Sequence, residues 1–270
     1  MLNRFNLVRL WRKPPEGRTL SLSASNGTAP PLISFCSTCK GRLWQLRETL
    51  PANLEAIRAD GRAELVLVNY NSNDGLDRWI RKFRGEIRSG QLRYVHERNE
   101  QFFHASKAKN LAHFAAEGEF VVNLDGDNFI AETIPMLREA WKEHPESVSH
   151  GFCGDVKDGS FGRIGMRKRH FLALGGYDEA MMPIGHEDRD LLVRAELAGF
   201  HIVRVRQSGR PAIPNTIRDK IRHTGGVPYR TMAAENSLRI EENLAMKRTR
   251  VNPDRKPVPV RINFSIETTI

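Results

Sequence analysis

Short apolar runs recur through the first half of the chain: "LISFCST" from Leu32, "ELVLVNYN" from Glu64, "LRYVHE" from Leu92 and "EFVVNLD" from Glu119. Apolar runs this short, bounded by polar residues, predict β-strands. Between them lie "RLWQLRETL", "LDRWIRKF" and "SKAKNLAHFAAEG", whose apolar residues return with the spacing of amphipathic helices. Gly118 is expected to close the last of these. Strand alternating with helix implies parallel strands joined by right-handed crossovers, and such sheets bind ligands at the carboxyl ends of their strands.

The second half is less regular. "HFLALGGYDEAMMPIGHEDRDLLVRAELAGFHIVRVR" predicts a glycine-rich turn, an acidic loop, a helix from about Asp188 to Ala198 ended by Gly199, and a strand from about His201. The Pro, Gly and basic residues from Ser208 to Pro228 predict a mobile loop, and a polar helix is expected near Thr231 to Lys247. In the tail, Val258, Val260, Ile262, Phe264 and Ile266 alternate as in one added strand. Residues 1–31 form a basic arm and linker, 32–232 the main α/β domain, and 233–270 a C-terminal helix and basic tail. The arm mixes Leu2, Phe5, Val8 and Trp11 with basic residues, so residues 1–13 suit either a disordered arm or a helix lying on anionic lipid.

Composition trims the possibilities. At 270 residues the chain can bury a substantial core. Three cysteines, Cys36, Cys39 and Cys153, are too few for a disulfide framework, and a CxxC without a second pair is read as ordinary packing. No run of 18 apolar residues and no secretion signal is present in the sequence, so a cytoplasmic protein is expected, with any membrane contact peripheral, at the inner face. The formal charge of +10 invites a nucleic-acid partner, but the cations are dispersed and lack aromatic interleaving, so none is expected.

Candidate chemistry gathers in two places. "NLDGDN" ends a predicted strand in Asp125 and Asp127, hard oxygen donors that suit a divalent cation shared with phosphates. By itself it reads equally well as a polar turn. "GGYDEAMMPIGHEDRDL" brings Glu187 and Asp188 to the start of a helix, where Asp188 could simply cap it.

Together the two segments resemble the GT-A glycosyltransferases, the group uniting family-2-like enzymes with the β-1,4-galactosyltransferase and chondroitin-polymerase type domains. The resemblance covers roughly residues 32–226 and implies a Rossmann-like, mixed but mainly parallel central sheet flanked by helices, a single domain with basic extensions at both ends. "NLDGDN" is similar to the family's DxD segment, "GGYDE…GHEDRDL" to its glycine-acidic segment, "STCKGR" to its first-strand loop and "IRHTGG" to the segment supplying a metal-binding histidine. The implied activity is metal-dependent transfer of a sugar from a nucleotide-sugar donor, UDP-hexose or UDP-N-acetylhexosamine, to a hydroxyl of a glycan, lipid-linked or protein acceptor, with inversion. The resemblance assigns Asp127 and His223 to the metal, Mn²⁺ or Mg²⁺, and Asp125 to the ribose or the metal shell. It assigns Thr38, Lys40, Arg42, Asn69 and Lys107 to the nucleotide, with Asn99 near Lys107. Asp188 becomes the general base, and Asp178, Glu179 and Glu187 contact acceptor or donor sugar.

The sequence departs from that pattern in places. Lys220 stands where the galactosyltransferase type has a methionine metal ligand, Ile184 where its acceptor loop has an aromatic residue, and the uracil-contacting aspartate of the second strand could be replaced by Asn69, Asn71 or Asp74. A retaining transferase of the polypeptide N-acetylgalactosaminyltransferase type and an inactive module binding anionic ligands are the alternatives.

Overall fold

The computed structural model of the chain describes residues 32–152, 158–206 and 212–254. All lie in the unit Pro31–Ile270. The N-terminal arm, Cys153 and the alternating tail fall outside the described residues.

Four parallel strands make the first half: β1 (Ile33–Cys39), β2 (Ala63–Tyr70), β3 (Leu92–Glu97) and β4 (Phe120–Asn123), in the order β3-β2-β1-β4. Every residue of β2 and β4 is buried, as expected of strands covered by helices on both faces. β6 (Ile164–Arg167) runs antiparallel to β4 and to β5 (Val148–His150), and β7 (Ile202–Arg204) closes the edge parallel to β5. The result is one seven-stranded, mixed but mainly parallel sheet. One apolar layer holds Phe35, Leu46, Leu50, Leu54, Phe120 and Trp141; the other holds Val66, Val68, Ala108, Ala112, Phe171 and Leu192.

The two cysteines of the CxxC separate on these layers. Alternate residues of a strand face opposite sides, so positions three apart point away from each other: Cys39 packs in the first layer and Cys36 in the second. Burial pushes the Cys39 thiol up to about 12 and the Cys36 thiol well above its usual range, so both are inert packing groups.

The helices add detail that periodicity left open. α1 (Leu43–Asp60) continues past the run in which it was expected to end, carrying Pro51 inside it, and stops at Gly61 in the left-handed region (φ 72°). Then come α2 (Leu76–Trp79), a 3-10 turn (Ile80–Phe83) and α3 (Arg84–Arg88). α4 (Ala105–Ala115) ends when Ala116 turns extended (φ −64°, ψ 145°), two residues before the expected stop. Gly118 serves β4 instead: its N–H donates to Ser34 Oγ at 2.8 Å, so close that a Cβ there would lie 2.5 Å from that oxygen. α5 (Thr133–Glu143) and α6 (Lys168–Ala173) precede α7 (Glu187–Leu197), with Gly199 just beyond as expected, and α9 (Tyr229–Ala245) is the last helix among the described residues.

The segment expected to be a mobile loop contains α8 (Ile217–Ile221), opened by a capping box in which Thr216 and Asp219 satisfy each other's backbone N–H groups. Its upstream end is pinned to the DxD turn by a bridge between Ala212 and Asn128 and by the Ile213 N–H donating to the Asp127 carbonyl at 2.8 Å.

Candidate active site

β4 delivers the DxD turn to the carboxyl end of the sheet. Asn123, the last strand residue, donates its amide to Asp125 Oδ1 at 3.1 Å and to the Gly162 carbonyl at 2.9 Å, fixing the Asp125 carboxylate toward β6. The second acidic segment arrives opposite it. Gly175 and Gly176 both lie at φ 75°, and a Cβ on Gly176 would sit 2.4 Å from Asn110 Oδ1, so the double glycine is required by both conformation and space. Asn110 then clasps the loop, accepting from the Tyr177 N–H at 2.8 Å and donating to the Tyr177 carbonyl at 2.9 Å and to Glu179 Oε1 at 2.8 Å.

At the start of α7 the capping position belongs to His186 (φ 65°), whose side chain caps nothing. Asp188 is therefore not the helix cap. Its Oδ1 lies 2.7 Å from Lys109 Nζ, which also reaches Glu187 Oε1 at 3.0 Å and Asp125 Oδ1 at 3.7 Å. Glu187 Oε2 accepts from the Gly185 N–H at 3.0 Å. Lys109 is thus the hub of the site, and it comes from α4, from the stripe of Ala105, Ala108 and Ala112 that faces the sheet. A lysine on an otherwise apolar helix stripe is the sequence signal for it; Lys107, which the resemblance assigns to the nucleotide, is 41% exposed and pairs with Glu100 at 3.3 Å, and Asn99 is exposed.

One ammonium facing three carboxylates cannot neutralise all of them. Burial opposes the charge on Lys109, but Asp125, Asp188 and Glu187 hold its pKa well above the usual lysine range. Burial would also raise Asp125 and Glu187, yet Lys109 brings both below the usual carboxylate range. Asp188 carries the residual cost: burial, helped by Glu187 and Asp125, pushes it up to about 7 against the pull of Lys109. A carboxyl whose pKa lies near neutral pH has the protonation behaviour a general base needs.

Gly162 shapes the gap between the two acidic segments. A Cβ there would stand 2.9 Å from Asp125 Oδ2 and 2.9 Å from Asp188 Oδ2, so these two oxygens border one small space that only a glycine leaves open.

Asp127 lies deeper. Its Oδ1 accepts from Asn128 at 2.6 Å and its Oδ2 from the Asn215 amide, while burial and then the Asp125 charge raise its pKa. Asn215 Oδ1 in turn accepts from Arg42 at 3.0 Å and Gln45 at 2.8 Å, bringing Arg42 to the DxD turn. Asn215 had no sequence pattern to announce it. Among the described residues no group of three His, Cys, Asp or Glu side chains is placed to hold a metal. The donor set nevertheless fits an ion of the Mg²⁺ or Mn²⁺ type, which takes one or two carboxylates and completes its shell with phosphate oxygens and water.

The remaining assigned residues are distributed around this centre. Lys40 is a clamp, its ammonium donating to the carbonyls of Tyr70 and Asn71 at 3.0 Å each and of Glu100 at 3.2 Å. His223 lies against Gly41, where a Cβ would be 2.0 Å from its Nε2, a buried atom with no hydrogen-bond partner. Thr38 is half-buried at the end of β1. Asn69 donates to Tyr94 Oη at 2.8 Å and Asp77 Oδ1 at 3.1 Å, whereas Asp74 accepts from the Leu43 N–H at 2.7 Å at the start of α1 and Asn71 donates to the Glu100 carbonyl at 3.3 Å. Asp178 pairs with Arg239 at 2.8 Å and so ties its loop to α9.

Residues 34–193 match the family described as Glycosyl transferase family 2. The chain belongs to glycosyl transferase family 2. This glycosyltransferase shares its fold with the mannosyltransferase PcManGT from Pyrobaculum calidifontis, solved in complex with GDP-Man and Mn²⁺, at TM-score 0.54 and 16% identity over 87% of this chain and 74% of that one. It is similar too to S. aureus TarS 1-349 in complex with UDP-GlcNAc, at TM-score 0.58 and 17% identity over 80% of this chain and 66% of that one. The complex of TarS 1-349 with UDP matches at TM-score 0.55 and 18% identity over 71% of this chain, which spans 62% of that one. These likenesses show the shared GT-A fold. No curated protein matches the transferase in sequence.

Proposed function

We propose that this transferase moves a hexose or N-acetylhexosamine from a UDP-linked donor to an acceptor hydroxyl, with inversion and with a divalent cation. The observation that supports the reading is the approach of Asp188 and Asp125 to the same small space beside Gly162, where Asp188 would act as the base against a donor held at the DxD turn. Two structures of one protein of this fold, TarS, hold UDP or UDP-GlcNAc, and a second protein holds GDP-Man with Mn²⁺, which supports a nucleotide-sugar donor and a cation.

Asp127, with Asp125 beside it, would hold the Mn²⁺ or Mg²⁺. Such an ion supplies positive charge to the leaving diphosphate. Ionised Asp188 accepts the proton of the acceptor hydroxyl as that oxygen bonds to sugar C1. The C1–O bond to the diphosphate breaks, and its electron pair leaves with the nucleoside diphosphate. One displacement from the opposite face inverts C1, and a single positioned carboxylate suffices for the proton. Lys109 orients Asp188, and Arg42 stands close enough to the DxD turn to meet phosphate oxygens. Thr38, near the end of β1, would line the nucleotide side, and Glu187 and Glu179 the sugar side, while Asn69, fully buried, would act only through its neighbours.

Incubating the protein with a panel of nucleotide sugars and Mn²⁺, and measuring nucleoside diphosphate release, tests the reading. Release from a UDP-sugar that EDTA abolishes is expected. Absence of release from every donor would remove it, and the anomeric configuration of a transfer product decides inversion.

A further inference from the structure

Asp127 has a neighbour that no resemblance assigns. The resemblance assigns the segment after β7 a cation ligand in His223, whose Nε2 lies beside Gly41, and this chain has Lys220 where the galactosyltransferase type has a methionine ligand. From this segment Asn215 reaches the Asp127 carboxylate: its amide nitrogen donates to Asp127 Oδ2, on the side opposite the Asn128 contact to Oδ1. We propose that Asn215 is a residue of the cation site, turning its side-chain amide to give the carbonyl oxygen to the ion that Asp127 holds. The inference rests on the metal-dependent reading above.

Three observations carry it. An amide oxygen is a hard, neutral donor of the kind Mg²⁺ and Mn²⁺ accept beside a carboxylate. The amide needs only to rotate about its terminal torsion to exchange nitrogen for oxygen, a soft and roughly two-fold motion. Its backbone is held in place meanwhile, since the Ile213 N–H donates to the Asp127 carbonyl at 2.8 Å and the Thr216 capping box follows directly.

The turn has a consequence for the diphosphate. In the structure Asn215 Oδ1 accepts from Arg42 at 3.0 Å and from Gln45 at 2.8 Å. When that oxygen goes to the cation, the guanidinium of Arg42 loses its acceptor and is free to form a fork with phosphate oxygens. Asn215 thereby couples arrival of the cation to release of a phosphate-binding arginine from the first-strand loop.

The test uses the full chain with UDP, and Mn²⁺ itself as the probe. Free Mn²⁺ is read by its electron paramagnetic resonance signal, and folding by thermal unfolding. Asn215→Ala should weaken Mn²⁺ binding by about 10- to 100-fold, the usual cost of losing a group that supports a metal. Asn215→Asp keeps an acceptor for Arg42 and Gln45, so it should fold, and its added charge should bind Mn²⁺ more tightly than the wild type. Wild-type Mn²⁺ affinity in the Ala variant, or equal or weaker affinity in the Asp variant, would overturn the proposal while leaving the metal-dependent reading intact. A wild type that binds no Mn²⁺ in the presence of UDP would overturn both.

Discussion

Lys109 Nζ stands 2.7 Å from Asp188 Oδ1, an ion pair that joins the middle of α4 to the first turn of α7. The pair is nearly buried, with Lys109 5% and Asp188 14% exposed, so neither charge is well screened by solvent. Asp188 competes for this cation with Glu187 and Asp125, and it is the member of the trio left near neutrality.

The first expectation is a pH profile. With Asp188 as the proposed base, its ionised form is the active one, and with its carboxyl pushed up to about 7, kcat should rise as pH increases through that value. Lys109→Met removes the cation that favours the ionised form, and the inflection should move to higher pH by about one unit or more. A profile flat between pH 6 and 8, or an inflection unmoved by Lys109→Met, would count against the pairing.

Asp188→Asn separates chemistry from structure. Since His186 rather than Asp188 occupies the capping position, no cap is lost, and one of three crowded carboxylates disappears. Melting temperature and UDP affinity should stay near wild type, while transfer falls by about 10² to 10⁴-fold, the usual worth of a general base. Unchanged transfer with unchanged binding would remove Asp188 from the mechanism.

Gly162→Ala puts a methyl 2.9 Å from the carboxylate oxygens of both Asp125 and Asp188. Gly162 is not among the positive-φ glycines, so alanine is conformationally acceptable and the fold should survive. Displacing either carboxylate by a few tenths of an ångström should cut transfer far more than it lowers stability, because reacting groups tolerate little misplacement. Steady-state kinetics alongside thermal unfolding checks this, and wild-type kcat would show that the gap is not part of the site.

Asp127→Asn should abolish Mn²⁺-dependent donor turnover while costing about 1 kcal/mol or less in stability. The new side chain keeps one oxygen for Asn128 or Asn215, and the repulsion from Asp125 is gone. Turnover at the wild-type rate with saturating Mn²⁺ would contradict the cation assignment.

Stability of the acidic loop should hinge on a residue remote from the chemistry. Arg194 and Asp190 are both fully buried and 2.7 Å apart; Arg194 also donates to the carbonyls of Leu174 at 2.9 Å and Gly176 at 2.7 Å, and Asn243 of α9 donates to Asp190 at 2.9 Å. Arg194→Met leaves Asp190 buried without its cation and the Gly176 carbonyl without this donor, so a loss of about 3–5 kcal/mol is expected in chemical denaturation. A loss below about 1 kcal/mol would mean that the loop is held elsewhere.

The chain by itself determined what depends on local pattern. Continuous apolar runs could only be buried strands, so β1 to β4 and their parallel order follow from strand and helix taking turns. The acids of the DxD turn and of the Glu187–Asp188 pair are each contiguous, and contiguous groups stay together in any fold. Tertiary structure alone decided how these pieces meet. Lys109 and Asp188 are 79 residues apart, and Asn215 and Asp127 88, distances over which no periodicity carries information. Local logic also misplaced roles wherever the third dimension offered a better partner. Asp188 could be read locally as a cap, but His186 takes that position and Asp188 meets the Lys109 ammonium, and Gly118, expected to end a helix, instead packs against Ser34 with room for nothing larger. Burial sets protonation for the same reason: the carboxyl of Asp188 would be an ordinary acid in the unfolded chain, and only the closing of α4 and α7 around it raises it to about 7.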